Sequence, residues 1–163
     1  MGKAGHARKT KVQGNPRVDL VVARFNEDIT SRLRDSAIRT LVKAGVKRSR
    51  IKVWEVPGSL EIPQVAARLA KKGGPDALIG IGCIIRGGTA HHEHVARVAL
   101  DNLGRLGLSS PFPVIACILT VESEAQALER ADGSLADRGA EAASAAIHMI
   151  ALVRSLQGPG AGT

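Results

Sequence analysis

The stretch ALIGIGCII, residues Ala77–Ile85, decides the fold. An unbroken run of apolar and glycine residues, polar on neither face, makes a strand buried on both sides. Such a strand belongs in a parallel sheet, whose crossover connections lay helices over it. Working outward, the chain supplies those helices. Residues 17–23 (RVDLVVA) read as a Val-rich strand, and residues 28–44 place Ile29, Leu33, Ala37, Leu41 and Val42 at helical spacing before Gly45. Residues 51–56 form a second strand closed by Pro57-Gly58. A helix at 60–69 follows, with Ile62, Val65, Ala66 and Leu69 on one face and a stop at Lys71-Lys72-Gly73-Gly74. Beyond the quoted strand come a Gly87-Gly88-Thr89 break, a helix over 91–106, a strand over 114–120 and helices over 123–131 and 138–156. Four strand–helix units and one extra helix specify a three-layer α/β/α sandwich with a four-stranded parallel sheet, flavodoxin-like in class.

The chain length of 163 residues fits one domain. We divide it into a basic flexible tail at 1–16, a single α/β domain at 17–156 and a flexible C-terminus at 157–163. A composition of 44% hydrophobic and 23% charged residues excludes wholesale disorder and a disulfide-stapled miniprotein. No apolar run reaches the roughly 18 residues of a membrane-spanning helix, and no apolar signal segment opens the chain, so a soluble cytoplasmic protein is expected. Cys83 and Cys117 sit in apolar runs, where reduced thiols behave as small hydrophobes. Of the net charge of +8, Lys3, Arg8, Lys9, Lys11 and Arg17 supply +5 within residues 1–17. A single-sign polar terminus is usually solvated, and a polyanion-binding arm is the sharper alternative. With one Trp, two Phe and no Tyr, the chain lacks the aromatic platforms that stack bases, which argues against nucleic acid as partner.

In open parallel sheets the ligand binds outside the carboxyl ends of the strands. Four segments therefore matter: 24–26, 56–61, 83–94 and the loop after Thr120. Gly87, Gly88 and Thr89 at a helix start offer converging N–H groups and a hydroxyl, an anion site suited to a small phosphate, though a plain turn fits as well. His91, in the first helical turn, lies beside the positive dipole end, which favours a neutral imidazole able to accept a proton. His91, His92 and His94 do not complete a recognised metal motif, so no metal is expected. Glu61, early in its helix, serves either the helix dipole or a polyol or amine ligand. Phe25 at a strand's end either fills a packing gap or stacks on a flat heterocycle.

These blocks carry a resemblance. Arg24-Phe25-Asn26, Val56-Pro57-Gly58-Ser59-Leu60-Glu61-Ile62-Pro63, Gly82-Cys83-Ile84-Ile85-Arg86-Gly87-Gly88-Thr89-Ala90-His91, and Leu119-Thr120 with Gln126-Ala127-Leu128-Glu129-Arg130-Ala131 resemble the lumazine synthase family. The resemblance spans about residues 17–156. It implies a transferase of riboflavin biosynthesis that condenses 5-amino-6-(D-ribitylamino)uracil with 3,4-dihydroxy-2-butanone 4-phosphate to 6,7-dimethyl-8-ribityllumazine, releasing phosphate and water, without metal or organic cofactor. It further implies that Phe25 stacks on the uracil, that Ser59, Cys83, Ile84 and Ile85 bind it through main chain, and that Glu61 holds the ribityl hydroxyls. Gly88, Thr89 and Arg130 would bind phosphate, His91 would move protons, and Ala116 and Arg138 would line the pocket. Where the family commonly has Lys, a large apolar residue and Phe or Tyr, this chain has Arg138, Ala116 and His92. The resemblance implies a homo-oligomer, a pentamer or a pentamer-based icosahedral shell, with each site shared between subunits. A non-catalytic flavin- or lumazine-binding or shell protein on the same scaffold is the alternative.

Overall fold

A computed structural model describes residues 13–133 and 135–158. Parallel strands β1 (Val18–Ala23), β2 (Ile51–Val56), β3 (Ala77–Ile85) and β4 (Val114–Val121) stand in the order β2-β1-β3-β4. Helices α1 (Glu27–Lys43), α2 (Ile62–Lys71), α3 (His91–Ser109), α4 (Glu124–Ala131) and α5 (Arg138–Leu156) connect and cover them. Val18, Leu20 and Val22 of β1 and Ile79, Ile81 and Cys83 of β3 join residues of α1, α4 and α5 in one core. Val21, Ala23 and Leu78, of the opposite parity, meet Ile62, Ala66 and Leu103 of α2 and α3 in the second. The expected three-layer α/β/α sandwich is therefore present, and β3 is buried along nearly its whole length.

Local chemistry explains the boundaries that moved. α2 starts at Ile62 and not at residue 60, because Leu60 and Glu61 form a turn in which Glu61 N donates to Gly58 O at 3.3 Å. Pro63 in the first turn then presets the helical φ where no donor is required. α3 continues past 106 to Ser109, tolerating Gly107, and ends before Pro111. A short 3₁₀ turn at Arg48–Arg50, which periodicity does not reveal, precedes β2. At the other end of the sheet, Pro16 is buried, Arg154 Nη1 donates to Gln13 O at 2.7 Å, and Arg17 N donates to Asp76 Oδ2 at 2.7 Å. The chain is thus held to the body from residue 13. The tail residues Lys3, Arg8, Lys9 and Lys11, and residues 159–163, lie outside the described residues.

α5 is seated by its start. The Asp137 carboxylate accepts from Ala140 N at 2.9 Å and from Ser36 Oγ of α1 at 2.5 Å. One residue into α5, Gly139 lies so close to α1 that a Cβ there would overlap the Leu33 carbonyl. Alanine is the better helix former by about 1 kcal/mol. Backbone cannot yield as a flexible side chain does, and overpacking typically costs about 1–3 kcal/mol, so sterics should win. Gly139→Ala is expected to lower the urea midpoint; a raised midpoint would show that α1 and α5 have room to spare.

Candidate active site

β1 leads through α1 to β2 on one side of it, whereas β3 lies on its other side, so the strand order switches between β1 and β3. A crevice opens at the carboxyl ends of strands at such a point, because the two connections leave in opposite directions. Here it encloses about 350 Å³, lined by the turn after β1 (Phe25), the turn after β2 (Gly58, Ser59, Leu60, Glu61), the end of β3 (Cys83, Ile84, Ile85) and the start of α3 (Gly87, Thr89, His91, His92, Val95).

Each wall has a local cause. The β1–β2 ladder runs on past the strands, with Arg24 N donating to Val56 O at 2.8 Å and Phe25 N to Pro57 O at 3.0 Å. This holds the Phe25 backbone while its ring is 69% exposed, so the ring does not fill a packing gap in its own chain. Ser59 is buried against β3, where a Cβ at Gly82 would stand 2.5 Å from its Oγ. The Glu61 carboxylate lies over Gly58, within 3.1 Å of where a Cβ would be. Cys83 packs its side chain in the core beneath α1 and also lines the crevice. Thr89 ties the glycine turn to α3: its Oγ1 accepts from His91 N at 3.4 Å, and its carbonyl lies 2.9 Å from His92 Nδ1. A carbonyl only accepts, so His92 carries its Nδ1 proton and presents Nε2 as the second nitrogen. Gly87 and Gly88 are exposed, with no atom near their missing side chains, so an anion can approach the backbone at the head of this 19-residue helix.

A family model described as 6,7-dimethyl-8-ribityllumazine synthase matches residues 15–154. The chain belongs to that family. It is an enzyme of riboflavin biosynthesis that forms 6,7-dimethyl-8-ribityllumazine.

Of the residues expected from sequence, Phe25, Ser59, Glu61, Cys83, Ile84, Ile85, Thr89 and His91 line this lumazine synthase family crevice, and Gly88 sits between two lining residues. Ala116, Arg130 and Arg138 do not line it. Ala116 is exposed on β4. Arg130 donates from Nη1 to Gln126 O at 2.9 Å, and Arg138 pairs with Glu141 Oε2 at 2.6 Å. α4 and α5, which carry these arginines, belong to the layer opposite α2 and α3. Gly58, Leu60, Gly87, His92 and Val95 are lining residues that the site assignment missed. Position within the recognised blocks flagged Leu60, and the i, i+4 relation of Val95 to His91 would have flagged the other apolar wall. Among the described residues, no group of three or more His, Cys, Asp or Glu is clustered to hold a metal ion. No described helix is long and apolar enough to cross a membrane.

The two thiols beneath the site are free. Burial pushes Cys83 up to about 11, and burial, with Asp137 and Glu141 nearby, pushes Cys117 up to about 12. Below the ordinary thiol value of 9.0 both states hold these protons, and the thiols add no pH dependence. Above it the unfolded chain ionises first, so their contribution to stability falls as pH rises from about 9 toward 11 and 12. Denaturant titrations across this range should show a flatter decline in a Cys83→Ala/Cys117→Ala double variant than in the parent; equal slopes would assign the loss to other groups.

Proposed function

We propose that the crevice holds the ribitylaminouracil against Phe25, with Ser59 and the main chain of Cys83–Ile85 reading its polar edge and Glu61 accepting from the ribityl hydroxyls. The supporting observation is convergence: an exposed aromatic face, a carboxylate, a hydroxyl-bearing glycine turn and a histidine meet in one crevice at the switch point. The butanone phosphate would lie with its phosphate at Gly88 and Thr89 and its carbonyl toward the 5-amino group. The amine adds to the ketone and loses water to give an imine. Removal of the adjacent C–H proton expels phosphate, and the ribitylamino nitrogen closes the ring on the resulting carbonyl with loss of a second water. Every step moves a proton, and His91, which lines the crevice at the start of α3, would carry them. Holding two small substrates in register supplies most of what such condensations need. The protein would do this in the cytoplasm, where both substrates diffuse freely.

Charge argues for a shared site. A phosphate dianion calls for a cation, yet no Lys or Arg lines the crevice. Arg130 and Arg138 of the same chain point their guanidinium groups at Gln126 and Glu141 on the other layer. A neighbouring subunit that docks its Arg130 and Arg138, with Ala116 as an outer wall, would complete the site. A closed ring, a pentamer by family resemblance, satisfies such head-to-tail contacts without leaving an unpaired surface. The pentamer could stand alone or build an icosahedral shell.

His91→Ala should slow lumazine formation by roughly 10²–10⁴-fold with substrate binding retained. Arg130→Ala should raise KM for the butanone phosphate far more than for the pyrimidine. Mixing the two impaired variants under conditions of subunit exchange should raise activity above that of either alone, because some interfaces then pair two intact halves. Failure to recover activity after verified exchange would refute the shared site.

A further inference from the structure

Asn26 stands at the N-cap position of α1, where an Asn side chain ordinarily accepts from the helix's own first turn. Here its side chain makes no capping bond. The backbone does that work, with Ile29 N and Thr30 N both donating to Asn26 O at 3.0 Å. The side chain instead reaches from the turn after β1 to the end of β3, its Nδ2 donating to Cys83 O at 2.9 Å. Because a carbonyl only accepts, the amide nitrogen must face it. Asn26 is also the one non-glycine residue with positive φ among the described residues, at φ 59 and ψ 49. Asn tolerates this left-handed conformation better than most residues, and it turns the side chain away from the helix it precedes.

The register of the sheet says what the bond replaces. β1 pairs with β2 through Ala23 and Val56, and two further backbone bonds extend that side to Phe25. Toward β3, the ladder stops at Val22 and Ile81. Cys83, two residues on, has lost its backbone partner from β1 just where the crevice opens. The Asn26 amide supplies this rung from a side chain. Phe25 is therefore held from both sides, by Pro57 O through its own N–H and by Cys83 O through its successor.

We propose that Asn26 is a positioning residue, a strut between the turn after β1 and the end of β3 beside the switch-point crevice, which holds the Phe25 ring at a fixed distance from the main chain of β3 so that a planar pyrimidine fits between them. The inference rests on the reading of Phe25 as the stacking face. Asn26 touches neither reacting atom and acts through Phe25 and Cys83.

Asn26→Gly tests it cleanly. Glycine adopts the same φ without strain and caps helices almost as well as Asn, so unfolding stability should change little while the strut is removed. Two readouts distinguish the strut from a merely structural role. Amide exchange at Phe25 should speed up about tenfold or more, reporting a turn released on its β3 side. KM for the ribitylaminouracil should rise about tenfold, with KM for the butanone phosphate and kcat within about twofold, since one hydrogen bond's worth of ordering is lost. Asn26→Asp, which keeps the shape but offers no N–H to the carbonyl, should behave as Asn26→Gly does. Unchanged exchange at Phe25 would overturn the strut. An unchanged pyrimidine KM in Asn26→Gly, alongside a raised one in Phe25→Ala, would overturn its role in substrate binding. A Phe25→Ala variant with unaltered pyrimidine KM would refute the stacking reading instead, and the exchange measurement alone would then decide the strut.

Discussion

The site depends on how thin β3 is on one face. Its residues alternate, so Ala77, Ile79, Ile81 and Cys83 fill the core under α1, α4 and α5, while Leu78, Gly80, Gly82 and Ile84 face α2 and α3. At the two glycines there is no side chain to hold the helices off. A Cβ at Gly80 would come within 2.8 Å of Ile62 Cγ2 and 3.1 Å of Leu103 Cδ1, and one at Gly82 within 2.5 Å of Ser59 Oγ. α2 and α3 therefore settle directly onto the strand. Ser59, Glu61 and the glycine turn before His91 are carried inward with them, and the helix starts converge on the end of β3. The full-sized Ile84, where this thin face ends, forms the floor. A strand that read as uniformly apolar is in fact thick on its structural face and thin on its functional one.

The opposite end of the sheet carries the polar anchoring. Asp19, near the start of β1, is fully buried, and three donors meet it. Arg17 gives Nε and Nη2 at 2.8 and 2.7 Å in a bidentate pair, and Trp54 of β2 gives Nε1 at 3.0 Å. Asp76, just before β3, accepts from Arg17 N and from Arg154 Nη2 at 2.9 Å, which links β1, β3 and α5. Removing Arg17 or Trp54 would leave Asp19 buried with fewer donors, so the network ties the start of β1 to β2. The single tryptophan serves here, away from the substrate crevice. Phe112, the buried aromatic, packs its ring on Gly74, whose positive φ and missing side chain make the space. Of the three aromatics Phe25 is the most exposed, at 69% against 38% for Trp54, and it is the one that lines the crevice.

Most of the fold was legible because period and run length carry it. The strand at Ala77–Ile85 and the helical spacing of Ile29, Leu33, Ala37 and Leu41 left little choice of partners. Strand order was not legible, since an apolar strand does not name its neighbour. The start of α2 was missed by two residues because Leu60 satisfies the helical period while the turn at Gly58 governs the backbone. In the site, residues that follow a strand end were found, because topology alone puts them at the crevice. The use of Asn26 was not readable: its partner is 57 residues away, and nothing in Arg24-Phe25-Asn26 says that the side chain would leave its own helix uncapped. Arg130 and Arg138 entered only through family blocks, and the fold explains why spacing could not place them, for they sit on the layer that faces away from their own crevice.

β4 is the element on which the single chain is least complete. As an edge strand it buries Cys117, Leu119 and Val121 under α4 and α5, whereas Ala116 and Thr120, of the other parity, remain exposed beside half-buried Val114 and Ile118. α3 packs beside this face without covering its whole width, and Val98, Leu100 and Leu108 on α3 are exposed apolar residues as well. An edge strand with a bare inner face is a liability in a lone monomer. In the ring we propose, the same face becomes the outer wall of a neighbour's crevice, and the size of the residue at 116 sets how closely that wall approaches. In that ring, alanine there would leave the pyrimidine less enclosed than a large apolar side chain would, and more of its alignment would fall to Phe25. The demand on whatever holds Phe25 in place would rise accordingly.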